Sequence, residues 1–459
     1  MFHFNRLRHH KTTLFLSGLI ILSLFIKLFI FLFFFHGNAE QITQPDSNSY
    51  LAPAQSLLSQ HSFYEMFERT PGYPLFIAGL FWLLGHHLTA IIVAQIVLST
   101  ALILEAFFIA KRLFSNHVAR LSALLIAINT LIFSYNLMIL SETLFVVLIG
   151  AAFLSGVYLF SGAQKSLLWT FLLGLFLALS TWTRPINYYL ILPVMALTLG
   201  YFFKNKRNRI FTALFFLLLP TFILVGGWKI RNNFVLHSSS YSSISAYNLY
   251  WHYAGDILQK SQHRSAAEIE HLLQLQLQQQ PNQDPAELEK YMKKTALHII
   301  QQHPILLTKQ MLRGFSKLML NSDSSWLIFF NLSDKKIELD QAKKELLSFN
   351  VQHLFHHYSK KILCILLAAF LVSMSITLYY IFFLIGIIQL NRTSFRYAHL
   401  FLLGCLCYFI LVSSNAISYG RFRIPFELII DVYTSFGLFC AAKKILHRKK
   451  SATVALEAR

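Results

Sequence analysis

Apolar residues along this chain come in long runs, not in the alternation of strands or the narrow stripes of surface helices. Ten runs stand out, near residues 13–35, 88–110, 117–136, 143–161, 167–182, 186–203, 210–228, 362–388, 397–414 and 424–442. Each approaches the roughly 20 residues with which a helix crosses a hydrocarbon core about 30 Å thick, so the pattern predicts about ten transmembrane helices. The first run exceeds the roughly 7–15 apolar residues of a cleavable signal and reads as an anchor. A further apolar stretch of about fourteen residues follows Pro71-Gly72-Tyr73-Pro74. It is too short to span and is expected to lie at the interface or to re-enter.

Two polar segments between runs are too long to be turns, 36–75 and 229–360. They divide the chain into a membrane module with a first outer loop (1–228), an outer subdomain (229–360), and a second membrane module with a basic tail (361–459). Within the outer subdomain, Asp284-Pro285-Ala286-Glu287 reads as an N-cap, a first-turn proline and a capping-box glutamate. Leu288, Met292, Thr295, Ala296 and Ile299 recur behind it at helical spacing until His303-Pro304 ends the run. Ile269, Leu272 and Leu273 make the Gln-rich stretch 273–280 the tail of another amphipathic helix. The expected fold is therefore an all-α polytopic membrane protein with a small helical outer subdomain.

Composition agrees: 55% of the 459 residues are hydrophobic and 13% are charged. A soluble domain carries about twice that charge. The net charge of +20 sorts by side of the membrane. Arg6, Arg8, Lys11, Lys111, Arg112, Arg120, Lys165, Lys204, Lys206, Arg207, Arg209, Arg392, Arg396 and the tail cations from Lys443 to Lys450 fall on one side; Arg69, Arg184, Arg421 and Arg423 fall on the other. By the positive-inside rule both termini are cytoplasmic, and no nucleic-acid partner is needed to explain the excess of base. The four cysteines fall inside apolar runs, with neither disulfide nor metal spacing.

The chemistry then concentrates on the outer face. Asp46 stands just beyond the first span and before the helical pattern Tyr50, Ala54, Leu57, Leu58; a helix cap is the plain account of Asp46-Ser47, compatible with a chemical one. Glu68-Arg69-Thr70-Pro71 joins charge to a stiff turn at headgroup depth, where a guanidinium suits bidentate phosphate contact, or simply snorkels. Glu142, Arg184, Arg231, Arg421 and Arg423 sit at other outer helix ends. Short outer loops normally avoid arginine, and a site for a phosphorylated lipid would account for the exception. Glu427 and Asp431, one turn apart on the last span, read as tethers for the arginines above them or as part of a proton path. Lys27 and Glu105 are given no role.

The order of these motifs, Asp46 with Tyr50, ERTPGYP, Ser141-Glu142-Thr143-Leu144, Thr183-Arg184-Pro185, Trp228 through Arg231-Asn232, and YGRFRIP at 419–425, resembles the GT-C glycosyltransferases, in particular their bacterial relatives of protein mannosyltransferases and of the lipid A aminoarabinose transferase. The resemblance implies an inner-membrane enzyme that moves a sugar, with inversion, from a polyprenyl-phosphate donor to an acceptor hydroxyl at the periplasmic face. It implies Asp46, placed to accept the proton of the acceptor hydroxyl, and Glu142, the second acidic position, as catalytic, with Arg69, Arg421 and Arg423 as the donor-phosphate residues, supported by Tyr50, Glu68, Arg184, Arg231 and Glu427. Lipid A, another glycan or a protein are the candidate acceptors. Protein mannosyltransferases place two acidic residues together where this chain has Asp46-Ser47, which weighs against protein. The resemblance leaves a divalent metal open, and the dispersed histidines specify none. A lipid or glycan transporter is the competing reading, but such proteins are commonly built from internal repeats and broken midplane helices, neither of which is clear here.

Overall fold

A computed structural model describes residues 2–63, 66–320, 360–415 and 417–457. The later part of the outer segment, with His356 and His357, lies outside the described residues. Those described are almost entirely helical. Eight expected spans coincide with helices long and apolar enough to cross a membrane. The one expected at 117–136 is a pair bent by 49°, and the one at 362–388 falls on a single helix, Lys360–Ile388.

In chain order, α1 (Phe2–Phe35) is the first span. The outer loop carries α2 (Asn48–Gln60) and the short apolar α3 (Gly72–Leu84). Helices α4 (Leu88–Ser99) and α5 (Ala101–Leu113) form one span, and α6 (Asn116–Ala127) with α7 (Thr130–Asn136) the bent one. The bend is built by Asn129, whose side chain accepts from the Ile132 amide and caps α7. Next come α8 (Glu142–Phe160), α9 (Ser166–Thr183), α10 (Ile191–Asn205), and α11 (Ile210–Thr221), which continues through a wide π turn after Pro220 into α12 (Gly227–Leu236). A proline removes a helical donor, and a π turn is one way to absorb that loss.

The outer segment folds as α13 (Ile244–Tyr247), α14 (Gly255–Ser261), α15 (Ala266–Gln278), α16 (Pro285–Gln302) and α17 (Pro304–Leu320). Its core is Tyr250, Ala254, Ile269, Leu273 and Ala296. Asp284 caps α16 as expected. Glu287 does not complete a capping box; it turns outward to Lys290, and the box forms one helix earlier, between Ser265 and Glu268. Helices α18 (Lys360–Ile388), α19 (Arg396–Ser413) and α20 (Ile424–Glu457) complete the chain.

Two glycines bring the outer elements to the membrane bundle. A Cβ on Gly72 would lie 2.7 Å from the Trp182 carbonyl oxygen and 2.9 Å from the Thr183 nitrogen, so only glycine lets the start of α3 rest on the end of α9. A Cβ on Gly314 would meet the Asn415 backbone at 2.5 Å, so α17 sits directly against the turn that precedes Tyr419–Arg423. Inside the bundle Lys27 donates to Ser99 at 2.8 Å, while the Glu105 carboxyl is buried against Gly150.

Candidate active site

Asp46 lies in a short 3-10 turn, Pro45–Ser47, ahead of α2. Its carboxylate does not cap that helix, contrary to the plain account of the Asp46-Ser47 pair. The turn is pinned through its neighbour: the Ser47 hydroxyl donates to the Ile139 carbonyl at 2.8 Å and accepts from the Gln44 amide at 2.9 Å. The Asp46 carboxylate is thereby left to face two arginines. Arg69 Nη2 lies 3.3 Å from Oδ1, and Arg421 Nη1 donates to Oδ2 at 2.9 Å.

The contacts continue in both directions. Arg69 also lies 3.3 Å from Glu68, and Arg421 donates through Nε to Glu142, which holds Arg184 as well. Glu68, Arg69, Asp46, Arg421, Glu142 and Arg184 thus form an alternating row of three carboxylates and three guanidiniums. These residues come from the first outer loop, the start of α8, the end of α9 and the turn before α20. Aromatic rings brace the row from behind. Arg69 stacks over Tyr50 with its carbon 4.9 Å from the ring centre, its Nε donates to Ser49, and the Tyr50 hydroxyl meets Ser141 at 3.1 Å. Arg184 lies over Phe145 and Arg421 over Tyr135.

The row borders a cavity of about 920 Å³ whose lining includes Asp46, Tyr50, Glu68, Arg69, Arg184 and Arg421. Asp46 keeps 40% of its side chain exposed, whereas Glu142 keeps 2% and is not part of the lining. Glu142, expected to be catalytic, lies beneath the guanidiniums of Arg184 and Arg421, with which it pairs, and does not reach the cavity wall. Arg423, expected among the donor-phosphate residues, does not line the cavity either. A step of two residues in 3-10 helix, about two-thirds of a turn, separates it from Arg421, so the two side chains leave on different sides and Arg423 points inward. It ion-pairs with Glu427 and donates to the Leu318 and Met319 carbonyls at 3.3 and 3.0 Å, fixing the end of α17 rather than opening on the cavity. Glu427 is its tether, as expected. Among the described residues Asp431 pairs with no arginine: it accepts from Tyr379 at 2.7 Å and from Asn129 at 3.2 Å. Arg231 also stays out of the lining and holds the outer loop, donating to the Phe63 and Met66 carbonyls.

A family model described as dolichyl-phosphate-mannose-protein mannosyltransferase matches residues 68–228. No curated protein sequence matches the chain significantly. Among solved structures, the Archaeoglobus fulgidus oligosaccharyltransferase in its apo form aligns with a TM-score of 0.50 and 10% identity, over 97% of this chain and 52% of its own. The same archaeal enzyme, AglB, in complex with an inhibitory peptide and a dolichol-phosphate, aligns with a TM-score of 0.51 and 11% identity over the same shares. The fold is of the GT-C type. ArnT from Cupriavidus metallidurans bound to undecaprenyl phosphate aligns at a TM-score of 0.38 and 12% identity, over 94% of this chain and 80% of its own. The chain spans about half the length of the oligosaccharyltransferase.

Among the described residues no three His, Cys, Asp or Glu side chains gather as metal ligands. The two carboxylates at the centre of the row, Asp46 and Glu142, already share the Arg421 guanidinium.

Sequence reasoning missed the lining contributed by 229–253. The run HSSSYSSISAYNLYWHY is rich in hydroxyls and rings, a signal that only its position over the arginines makes legible. The Ser243 amide bonds to the Phe67 carbonyl at 3.1 Å, and Tyr241 donates to the Thr181 carbonyl at 3.0 Å. Burial pushes the Tyr241 hydroxyl well above its ordinary range, with nearby Tyr188 adding to it. Burial also holds His252 below the usual imidazole range. Both groups are neutral at pH 7.

Proposed function

We propose that this protein is an inverting glycosyltransferase that moves a sugar from a polyprenyl-phosphate donor to an acceptor hydroxyl at the outer face of a bacterial inner membrane, with both termini cytoplasmic. One observation carries the reading: the exposed Asp46 carboxylate lies between Arg69 and Arg421 on the wall of one cavity. The dolichol-phosphate held by the archaeal enzyme of the same fold supports a lipid phosphate as the donor's leaving group.

In the proposed reaction the acceptor hydroxyl loses its proton to Asp46 as its oxygen forms the bond to the anomeric carbon. The bond between that carbon and the phosphate oxygen breaks, and its electron pair leaves with the lipid phosphate. Arg69 and Arg421 offer planar, permanently charged forks to that anion, and Arg184 supplements them. Glu142 and Tyr50 are positioning residues that keep the guanidiniums aimed at the cavity. The map of 1–228, 229–360 and 361–459 assigns the acid and most of the cations to the first module, and Arg421 to the last.

The test is transfer from a synthetic undecaprenyl-phosphate sugar by the full-length protein in lipid nanodiscs, after mass spectrometry of envelope glycans and lipids from a deletion strain has identified the sugar and acceptor. Asp46→Asn should insert and fold normally yet lose transfer. Transfer at the parental rate would overturn the proposal.

A further inference from the structure

Cations that reach the cavity fall into two sets. Arg69, Arg184 and Arg421 each have a carboxylate partner. Lys229, on α12, and Lys293, on α16, line the same cavity, and neither has a hydrogen bond or ion pair with any described residue. Both are contributed by the outer segment beyond the membrane module. The one carboxylate that this segment gives the lining, Glu289, is buried, accepts from the Ser238 hydroxyl at 3.1 Å and forms no ion pair with either lysine.

The groups around the lysines are uncharged and polar. Ser239, Tyr247 and Asn248 line the cavity with side-chain hydrogen-bonding atoms that no described residue engages. Tyr247 keeps 43% of its surface exposed beside Trp251 and His252, whose rings pack against its own. Such a surface offers donors and acceptors for hydroxyl groups, an amphipathic ring to lie against a sugar face, and two free positive charges. Lysine is a mobile point charge that follows an anion without demanding the planar geometry of a guanidinium.

We infer that the lining contributed by Lys229 to Lys293 is the acceptor subsite, and that the acceptor is a saccharide carrying an acidic group, phosphate or carboxylate, which the two lysines hold. The inference rests on the glycosyltransferase reading above and deepens it. The donor phosphate has the arginine row; the lysines are surplus to it and answer to a second anion. That anion selects the acceptor and orients its hydroxyl towards Asp46.

Binding to the full-length protein in nanodiscs of neutral lipid tests this with six probes: glucose, glucose 6-phosphate, glucuronic acid, inorganic phosphate, undecaprenyl phosphate and a serine-containing peptide. The two acidic sugars should bind about tenfold more tightly than glucose, as expected for a charge-assisted contact, and more tightly than inorganic phosphate. The preference should shrink at high salt and vanish in the double variant K229Q/K293Q, whose undecaprenyl phosphate affinity should stay within about twofold of the parent. Neither lysine has a partner to lose among the described residues, so an unchanged melting temperature confirms that the variant is folded.

Equal binding of glucose and the acidic sugars would overturn the inference. So would inorganic phosphate binding as well as glucose 6-phosphate, which would make the lysines a general headgroup site. Loss of undecaprenyl phosphate binding in K229Q/K293Q would assign them to the donor, and tighter binding of a serine-containing peptide than of any sugar would make the acceptor a protein. Failure of the parental protein to bind undecaprenyl phosphate at all would instead strike at the glycosyltransferase reading itself.

Discussion

Asp46 is held by two guanidiniums before any substrate arrives, and that sets what its substitution must do. Asparagine keeps the size of the side chain and a carbonyl acceptor for Arg69 and Arg421, but it cannot take a proton. Asp46→Asn should therefore lower the transfer rate by about 10²–10⁴, the usual weight of a positioned base, with little change in melting temperature. Arg421 and Arg423 separate two roles that their spacing had merged. Arg421→Lys retains charge but cannot bridge Asp46 and Glu142, so the apparent KM for the lipid-linked donor should rise. Arg423→Gln leaves Glu427 buried without its cation, a loss on the order of 3–5 kcal/mol. It should appear as a lower melting temperature with donor KM unchanged. A donor-KM effect from Arg423→Gln alone would reverse these assignments.

At the scale of elements, the site depends on how close α3 comes to α9. Gly72→Ala places a methyl group within 3 Å of the Trp182–Thr183 backbone, so α3 must shift, carrying the Glu68–Arg69 turn away from Arg184. Reduced donor binding at nearly normal expression is the expected result, read by titration with undecaprenyl phosphate. The segment from Tyr241 to Tyr253 adds a pH dependence. Because burial lowers the His252 pKa below its ordinary 6.5, the unfolded chain takes up that proton first as pH falls. The stability due to the neutral ring is thus complete above about pH 6.5 and declines with acidification through the window below it. Amide protection factors in α13 and α14, corrected for the intrinsic pH dependence of exchange, should fall there, and His252→Gln should flatten the profile. These element contacts explain which motifs could be read in advance. ERTPGYP was legible because proline, glycine and charge in one turn imply a fixed geometry. The serine-rich run after α12 was not, since hydroxyls carry no period and gain meaning only from what they face.

For the whole molecule, a ligand that binds the folded row of charges and not the unfolded chain must raise its stability. Undecaprenyl phosphate at a hundred times its Kd should add about 2.7 kcal/mol, seen as a higher melting temperature in the parent and much less so in Arg421→Lys. The ligand joins parts of the chain about 375 residues apart, since Asp46 and Arg421 meet only at the site. Stabilisation confined to the first membrane module would show that the donor does not bridge them.

What the chain determines by itself follows from local chemistry. Runs of apolar residues need a helix to satisfy their backbone in lipid, and prolines and glycines mark the turns, so the spans and the breaks between them are readable without coordinates. Which of those charges meet is a matter of helix rotation and depth, set by packing between distant segments. That is why only the tertiary structure could turn Arg423 inward, place Glu142 behind its arginines, free Asp46 from capping, and bring Lys229 and Lys293 to the same cavity.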